Sequence, residues 1–383
     1  MKRYVIGFIA LAGAVAFAQR PSQEPQQGQQ PAQQEQGRGG RGRGMTPEQR
    51  EALAKQEALE KETPVLQYDA KELPLVVPGH TIGETEGVAI SAQKHLFVFT
   101  RSGNSGPARG GNASELFEFD ALGHFVKQWA QDSYGLNFAH AVHVDKDQNV
   151  WVVDEGSNMV VKMNPQGRVV MVLGRRPESI DYLEEYLERG EKNETRFPVG
   201  NPNSFNRPTD VTWDNDGNIF VSDGYGNSRV AKFDKDGKWV KAMGTHGSGP
   251  NQFSTPHAIA SDAKGNIYVA DRGNNRIQVL DPDLNVVRII TTVRSPWAVC
   301  VTPGAHQYLY SADANTGHIY KAELDGKLIG YFGQVGKRVG DFYWVHQMAC
   351  PAENEIYTGE AQNWRIQRVT VKGPAAKTST AAQ

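Results

Sequence analysis

The chain has 383 residues, of which 39% are hydrophobic, so it is long and apolar enough to bury a sizeable core. Its 41 basic and 43 acidic residues leave a net charge of -2, which gives no reason to expect nucleic acid as a partner. The many glycines, prolines and aromatic residues favour short strands and tight turns, and two cysteines cannot form a disulfide framework. A small disulfide-stapled scaffold, a coiled coil and a multi-span membrane protein are therefore excluded.

Residues 1–18 have the pattern of a secretory signal peptide. Basic Lys2 and Arg3 precede an uncharged, mostly apolar run that ends in Ala16-Phe17-Ala18, an A-x-A cleavage site. The run is short for a membrane span, although an uncleaved anchor is the alternative, and no cysteine follows it as in a lipoprotein. We expect cleavage after Ala18 and export to the periplasm or the medium, with no membrane span left in the mature chain.

Residues 19–45, rich in Gln, Gly and Arg, cannot bury a core and are predicted to form a disordered linker. Their GRGGRGRG stretch is similar to RNA-binding RGG segments, but three arginines on an exported chain fit a solvated linker better. Thr46, Pro47 and Gln49 form an N-cap pattern, which predicts a short polar helix over residues 46–62. Residues 373–383 are predicted to be a flexible tail.

Residues 65–372 contain six imperfect copies of one unit, most clearly PTDVTWDNDGNIFVSDGYGNSRVAKFDKDGKWV from Pro208. Each copy predicts four short strands separated by turns, and six such units predict an all-β fold, a six-bladed β-propeller. The last copy lacks its outer strand, so we expect a strand within residues 65–77 to complete it and close the ring. Two insertions, residues 102–114 and 177–206, are long enough to line a site or form a lid. Insertions without a functional role are equally compatible with this length.

One column of the aligned copies, two residues before the apolar residue that opens each repeat, is rich in histidine. The column holds Glu86, His140, Thr209, His257, Trp297 and His346. The three histidines occupy alternate blades, which lie about 120° apart in a closed ring of six. If this column faces the central channel, three imidazoles meet on the axis, as in a catalytic zinc site with an open fourth position. Other first-row metals also accept imidazole, and an ordinary polar channel lining is the alternative.

A second column follows the second strand of each copy, where the loop leaves for the third strand. It holds Arg101, Glu155, Gly224, Arg272, Ala314 and Ala361, with Tyr225 one position further on. Equivalent loops lie at the same end of a propeller, so these charged and aromatic side chains are predicted to share one mouth of the channel. Each of them alone could equally be a solvated charge or a packed ring.

The residues described so far resemble a known family. The stretches FAHAVHVDKDQNVWVVD, FVSDGYGNSR, GPNQFSTPHAIA, YVADRGNNRIQ and FYWVHQMA resemble the peptidyl-α-hydroxyglycine α-amidating lyases, within the wider NHL-repeat propellers. The resemblance implies a six-bladed propeller with a zinc ion bound by His140, His257 and His346. It places the catalytic tyrosine of the family at Tyr225 and its two active-site arginines at Arg101 and Arg272.

The family's reaction cleaves the N–Cα bond of an α-hydroxylated amide and releases an amide and glyoxylate. For such a substrate, zinc would lower the pKa of the hydroxyl, Tyr225 would act as the general base, and Arg272 is the candidate that would favour its phenolate. Arg101 would bind the substrate carboxylate, and Glu86 or Glu155 would orient an imidazole. The substrate would be a small molecule or the C-terminus of a peptide, and the sequence does not identify the hydroxylase that would supply it.

The chain departs from the family at the structural calcium site. The calcium would take the backbone carbonyls of Val88 and Val142 and an aspartate, where this sequence has Gln347. A neutral amide binds calcium more weakly than a carboxylate does, so firm calcium binding is not expected. Trp344 also replaces a methionine two residues before the third histidine.

The disulfides of the family are missing, since Gly226 stands where a cysteine follows the tyrosine. Cys300 and Cys350 lie at apolar positions of first strands and are predicted to be buried thiols.

Two other functions compete with the lyase. A non-catalytic NHL-repeat scaffold would bind protein or glycan on its top face. A calcium-dependent, lactonase-like hydrolase would need oxygen ligands on the axis, where only Glu86 is suitable.

Overall fold

The computed structural model describes residues 47–101, 114–131, 133, 135–175 and 204–374. The predicted signal peptide and linker, most of both insertions and all but the first two residues of the predicted tail lie outside the described residues.

Within those ranges, six four-stranded antiparallel sheets form the blades of a β-propeller, which confirms the predicted fold class. Strand β1 (Leu66–Glu72) belongs to the last blade. The strands of the first three blades are β2 (Glu84–Ile90), β3 (Leu96–Arg101), β4 (Ser114–Phe119), β5 (Phe125–Trp129), β6 (Ala139–Val144), β7 (Val150–Asp154), β8 (Met159–Met163), β9 (Val169–Gly174), β10 (Asp210–Trp213), β11 (Ile219–Asp223), β12 (Arg229–Phe233) and β13 (Trp239–Met243).

The second half of the ring continues in the same way. Its strands are the short parallel pair β14 (Thr245–His246) and β15 (Gln252–Phe253), then β16 (Pro256–Ser261), β17 (Ile267–Asp271), β18 (Arg276–Leu280), β19 (Val286–Ile290), β20 (Pro296–Val301), β21 (Tyr308–Asp313), β22 (Ile319–Glu323), β23 (Leu328–Phe332), β24 (Val345–Ala352), β25 (Glu355–Glu360) and β26 (Arg365–Pro374). A single 3₁₀ turn, Arg272–Asn274, follows β17 in the described chain.

The hairpin turns are formed by the Asp, Asn and Gly residues from which they were predicted. Between β10 and β11, the carboxylate of Asp214 accepts hydrogen bonds from the backbone N–H groups of Asp216 and Asn218, at 3.0 and 2.9 Å. Gly217 supplies the positive φ of 83° that the turn requires. This Asx-turn positions the inner hairpin of the blade, and equivalent aspartates do the same at other blades.

The hydrophobic core lies between neighbouring blades, where the faces of successive sheets meet. Between the first two blades, Phe99 and Leu116 pack with Val142 and Val152, and all four are fully buried. Because both faces of the inner strands are covered, these strands contain almost continuous apolar runs. The core therefore holds the inner strands, and the residues at their ends, in fixed positions.

The ring is closed by the first strand among the described residues, as the sequence predicts. Strand β1 pairs antiparallel with β26, from Leu66 opposite Pro374 to Glu72 opposite Gln367, and so supplies the outer strand of the last blade. The prediction that a strand within residues 65–77 completes the sixth blade is confirmed.

The helix α1 (Pro47–Glu62) lies against the fourth and fifth blades. The side-chain amide of Gln56 donates to three backbone carbonyls, those of Asn275, Thr291 and Val293, at 2.9–3.0 Å. The hydroxyl of Tyr320 donates to Glu60 at 2.8 Å. No helix among the described residues has the length and apolar character needed to cross a membrane.

The two cysteines are joined in a disulfide, so the prediction of buried thiols is wrong. Cys300 of β20 and Cys350 of β24 have Cα atoms 6.0 Å apart, within the range that a disulfide requires. Their apolar positions were visible in the sequence, but their proximity depends on how the inner strands of the fifth and sixth blades pack together.

We expect the double variant Cys300→Ser/Cys350→Ser to have a lower free energy of unfolding, by about 2–4 kcal/mol, because the crosslink restricts the unfolded chain. The two cysteines are 50 residues apart in the sequence, so the closed loop is long. Urea unfolding followed by tryptophan fluorescence measures the difference. A reductant should lower the stability of the native protein to that of the variant and leave the variant unchanged. Equal stability under oxidising conditions would contradict the expectation.

Candidate active site

The histidine column of the sequence is a column of β-bulges. The register of the inner hairpin shifts between Ala139 and Ala141 around His140, and equivalent shifts surround His257 and His346. The blades with Glu86 and Trp297 have the same irregularity. A bulge inserts one extra residue and redirects its side chain, and bulges are common beside active sites. The repeated bulge thus gives this column its common orientation.

The three histidines meet, as expected from their alternate blades. His140, His257 and His346 are buried, and their ring centroids are 4.5–4.8 Å apart. Their potential ligand nitrogens all lie within 4.8 Å of one another, so one metal ion can contact all three. The arrangement could hold a metal ion, and three imidazoles suit zinc and other first-row metals without selecting one of them.

Backbone carbonyls of the column fix the orientation of the rings. Nδ1 of His257 lies 2.7 Å from the carbonyl oxygen of Trp297, and Nδ1 of His346 lies 2.9 Å from that of Glu86. A carbonyl only accepts, so both Nδ1 atoms carry a proton, and the neutral ring of His257 keeps its lone pair on Nε2. Both acceptors, Trp297 and Glu86, are themselves residues of this column, in the blade that follows the histidine around the ring.

His140 follows this pattern less closely. A hydrogen bond with the backbone of Thr209, again the column residue of the next blade, acts to raise the pKa of His140. Its buried Nδ1 nevertheless has no hydrogen-bond partner of good geometry among the described residues.

All three imidazoles are neutral at physiological pH. Burial, followed by the electrostatic interaction that a protonated His140 would have with His346 and His257, lowers the pKa of His140 well below the ordinary value. Burial and then Arg272 have the same effect on the pKa of His257, and burial and Arg101 lower the pKa of His346 to about 3. Metals bind the neutral form of imidazole, so the protonation state fits a metal site.

Tyr225 lies against the histidines, as the resemblance implies. Its hydroxyl is 3.3 Å from Nε2 of His140 and 3.1 Å from Nε2 of His257. The preceding Gly224 allows this approach, because a side chain there would collide with the carbonyl of Pro256. Tyr225 therefore lies beside the same nitrogen atoms that would face a metal.

Burial raises the pKa of Tyr225 above the ordinary value. Arg272 has the largest opposing effect, as the sequence suggested, and Arg101 and Arg207 also oppose the rise, whereas Glu155 adds to it. Burial thus outweighs the decrease in the pKa of Tyr225 that was expected from Arg272.

Arg272 has an unused hydrogen-bonding group. Its guanidinium lies 4.2 Å from the ring centre of Trp297 and 5.4 Å from that of Tyr225. Its buried Nη1 atom has no hydrogen-bond partner, and no carboxylate among the described residues forms an ion pair with it. Arg272 as a whole is half-buried, and a guanidinium with such an unpartnered Nη1 is suited to bind an anion beside the histidines.

Arg101, by contrast, is surrounded by carboxylates. Its Nη1 lies 3.4 Å from Glu84 and 3.3 Å from Glu86, and its Nη2 lies 3.7 Å from Glu155. Its Nε donates to the carbonyl of Ala139 at 3.1 Å, which ties it to the strand of His140. Burial disfavours the charge, but the three carboxylates more than compensate and raise the pKa of Arg101.

A third arginine, Arg207, belongs to this cluster and was missed by the sequence analysis. Its Nε donates to Glu155 at 2.6 Å, its Nη2 contacts the same carboxylate, and its guanidinium lies 4.6 Å from the ring centre of Tyr225. Its backbone has a φ of 61° and is held by a hydrogen bond to Asn158. The sequence did contain an indication of its position. Arg207 stands two residues before the column residue Thr209, as Trp344 stands two residues before the column residue His346.

The predicted calcium position is occupied by a side-chain amide. Oε1 of Gln347 accepts hydrogen bonds from the backbone N–H groups of Val88 and Val142, at 2.9 and 3.1 Å. Its Nε2 donates to the carbonyl of Val142 at 3.1 Å and lies 3.0 Å from Nε2 of His143, which Asp210 contacts at 2.6 Å. Through these hydrogen bonds Gln347 links three blades directly.

We expect Gln347→Ala to lower the free energy of unfolding by about 3 kcal/mol, because it leaves two buried backbone N–H groups unsatisfied. Gln307→Ala is the control, since that amide accepts from Ala263 at the surface, where water can replace it. Calcium added to the native protein should leave its melting temperature unchanged. A clear calcium-dependent increase would show that the amide does not replace the ion.

Comparison with known proteins agrees with this architecture. A model of the family DUF5128, described as a 6-bladed beta-propeller, matches residues 202–323. A probable peptidyl-alpha-hydroxyglycine alpha-amidating lyase of Caenorhabditis elegans is 30% identical over 186 residues, which cover 45% of this chain and 47% of that protein. The NHL repeat-containing protein 3 of Mus musculus is 32% identical over 55% of this chain and 58% of its own length.

The chain is a six-bladed β-propeller with homologues named as amidating lyases and as NHL repeat-containing proteins. It spans about half the length of these two curated relatives. The virginiamycin B lyase of Staphylococcus aureus has a similar structure, with a TM-score of 0.52 over 79% of this chain and 99% of that one, at 12% sequence identity. At that identity the similarity concerns the fold alone.

Proposed function

We propose that the chain is an exported, zinc-dependent lyase that cleaves the N–Cα bond of an α-hydroxylated amide and releases an amide and glyoxylate. The observation that carries the proposal is the convergence of His140, His257 and His346 with the Tyr225 hydroxyl against two of their nitrogens. The homologues named as amidating lyases support the same reaction class.

The reaction removes the hydroxyl proton of the substrate, turns the carbon into an aldehyde, breaks the N–Cα bond and protonates the departing amide nitrogen. A zinc ion held by the three histidines would supply a positive charge that lowers the pKa of the hydroxyl. Tyr225 accepts the hydroxyl proton and returns a proton to the nitrogen. Arg272, Arg101 and Arg207 favour its phenolate, since each opposes the rise of its pKa.

In this proposal, Arg272 and not Arg101 binds the substrate carboxylate. Within the described part of the chain, the buried Nη1 of Arg272 has no hydrogen-bond partner, whereas the charge of Arg101 is compensated by Glu84, Glu86 and Glu155. Arg101 instead holds the carboxylates in place around His346, whose Nε2 lies 3.0 Å from Glu86. This assignment differs from the one made from the sequence, which gave the substrate carboxylate to Arg101.

Export is supported by the signal-like residues 1–18 and by the disulfide, because disulfides persist in oxidising compartments. The main competing function is a non-catalytic scaffold, which the similarity to an NHL repeat-containing protein favours. A calcium-dependent lactonase-like hydrolase is disfavoured because the axis offers three imidazoles and the predicted calcium position contains the amide of Gln347.

The deciding experiment incubates the purified, zinc-loaded chain with an N-acyl-α-hydroxyglycine and measures glyoxylate. Release that requires the metal and stops after chelation supports the lyase. If the folded chain binds no zinc, or binds it and releases no glyoxylate from any acyl variant, the lyase proposal fails. The scaffold then becomes the better account.

A further inference from the structure

Trp344 has an unusual backbone conformation for a bulky residue. Its φ is 52°, in the left-handed region that large side chains rarely adopt. The backbone is held there by a hydrogen bond from the N–H of Ala361 to the carbonyl of Trp344, at 3.0 Å. Such conformations persist where the surrounding structure enforces them, and they cluster at ligand-binding sites. The indole is only partly buried.

The conformation places Trp344 on a second indole beside the histidines. The rings of Trp344 and Trp297 are 4.9 Å apart and tilted by 43°. Trp297 is almost completely buried and lies 5.1 Å from the ring of His257 and 6.3 Å from that of His346.

Arg272 lies over Trp297, with its guanidinium 4.2 Å from the centre of that ring. Trp297 is thus enclosed by Arg272, His257 and Trp344, and the accessible aromatic surface belongs to Trp344. The histidines, the free guanidinium donor and this aromatic surface form one continuous wall.

We propose that Trp344 is a specificity residue that binds an aromatic or bulky apolar acyl group, on the side of the amide nitrogen of the substrate. The inference rests on the proposed function, because it takes the carboxylate of the substrate to lie at Arg272. When the carboxylate of the substrate lies at Arg272 and its hydroxyl at the histidines, the acyl group is the part that is still free to contact the protein. The Trp297–Trp344 pair offers this group an apolar surface. An indole stacks favourably on another aromatic ring and adds apolar contact area.

The test compares two substrates that differ only in the acyl group, N-benzoyl-α-hydroxyglycine and N-acetyl-α-hydroxyglycine, with the zinc-loaded chain. We expect kcat/KM to favour the benzoyl compound, and Trp344→Gly to reduce that preference about tenfold, a typical contribution of one stacked ring. Glycine adopts positive φ freely, so this variant should keep the backbone and the fold. Trp344→Phe should retain most of the preference.

Trp364→Gly is the matched control. This tryptophan also has a positive φ, of 54°, and is 49% exposed, but it makes no described ring contact with the site. Its substitution should leave the preference unchanged. If Trp344→Gly reduces kcat/KM for both substrates by the same factor, or changes kcat/KM for neither, Trp344 is not a specificity residue.

A binding measurement separates this inference from the reaction. Hippurate and N-acetylglycine lack the hydroxyl and cannot react, so their dissociation constants report binding alone, for example by calorimetry. If no glyoxylate is formed but hippurate binds more tightly than N-acetylglycine only when Trp344 is present, the aromatic site stands and the lyase proposal fails. If glyoxylate is formed and Trp344→Gly alters neither preference, the lyase stands and the aromatic site is rejected.

Discussion

His257→Ala is expected to remove bound zinc from the purified chain. Loss of an outer partner of a metal ligand costs about 10–100-fold in affinity, so loss of one of three ligands should cost more, on the order of 1000-fold. His257 is suited to the test because its Nδ1 is already satisfied by the carbonyl of Trp297 and its neutral Nε2 faces the other two rings. Elemental analysis after dialysis, with a chromophoric chelator as competitor, measures the affinity.

His306→Ala is the control for this experiment. Its side chain is 63% exposed and contacts Glu323 away from the three histidines, so its loss should leave the zinc content at one per chain. Circular dichroism should be the same for both variants. A folded His257→Ala protein that keeps its full zinc content would refute the metal site.

Tyr225→Phe is expected to lower kcat for glyoxylate release by about 1000-fold, within the range that general acid–base catalysis contributes. The change removes one oxygen atom and keeps the ring against which Arg207 and Arg272 pack, so substrate binding and KM should change little. The zinc content should also stay the same, because the three histidines supply the ligands. Steady-state kinetics and elemental analysis on the same preparation separate these effects.

Tyr357→Phe provides the comparison, because its hydroxyl contacts Glu355 in the last blade and not the histidines. It should retain full activity. If Tyr225→Phe keeps kcat within about threefold of the native value, proton transfer by Tyr225 contributes less than general acid–base catalysis ordinarily does, and the proposed role is wrong.

The sequence predicted the fold and the meeting of the histidines for a common physical reason. A repeat that cannot bury its own hydrophobic face must stack on its neighbours, so six copies predict six blades. Residues at equivalent positions of the copies then lie at equivalent positions around the ring. His140, His257 and His346 were found in this way, without knowledge that each of them lies in a bulge.

The residues that were missed depend on contacts between different positions of different blades. Arg207 contacts Glu155 and lies beside the ring of Tyr225, and its backbone is left-handed, which no repeat pattern indicates. The disulfide between Cys300 and Cys350 likewise depends on the distance between two packed strands.

The distribution of charge among the arginines is likewise a three-dimensional property. The sequence offered Arg101 and Arg272 as equivalent members of one column, yet only Arg101 has glutamates around it. Glu84 and Glu86 come from β2, outside that column, and Glu155 is the column residue of the neighbouring blade, but the column does not show how close any of them lies to an arginine. Which arginine is free to bind an anion could therefore be decided only from the folded chain.

The pairing of β1 with β26 also sets the order of events during synthesis. Leu66 leaves the ribosome long before its partner Pro374 exists, so the last blade cannot form until nearly the whole chain has been made. Contacts between such distant segments form slowly, because a large loop must be closed before they stabilise anything. For that period the chain lacks its closed ring, and an unclosed chain can still be threaded through a translocation channel.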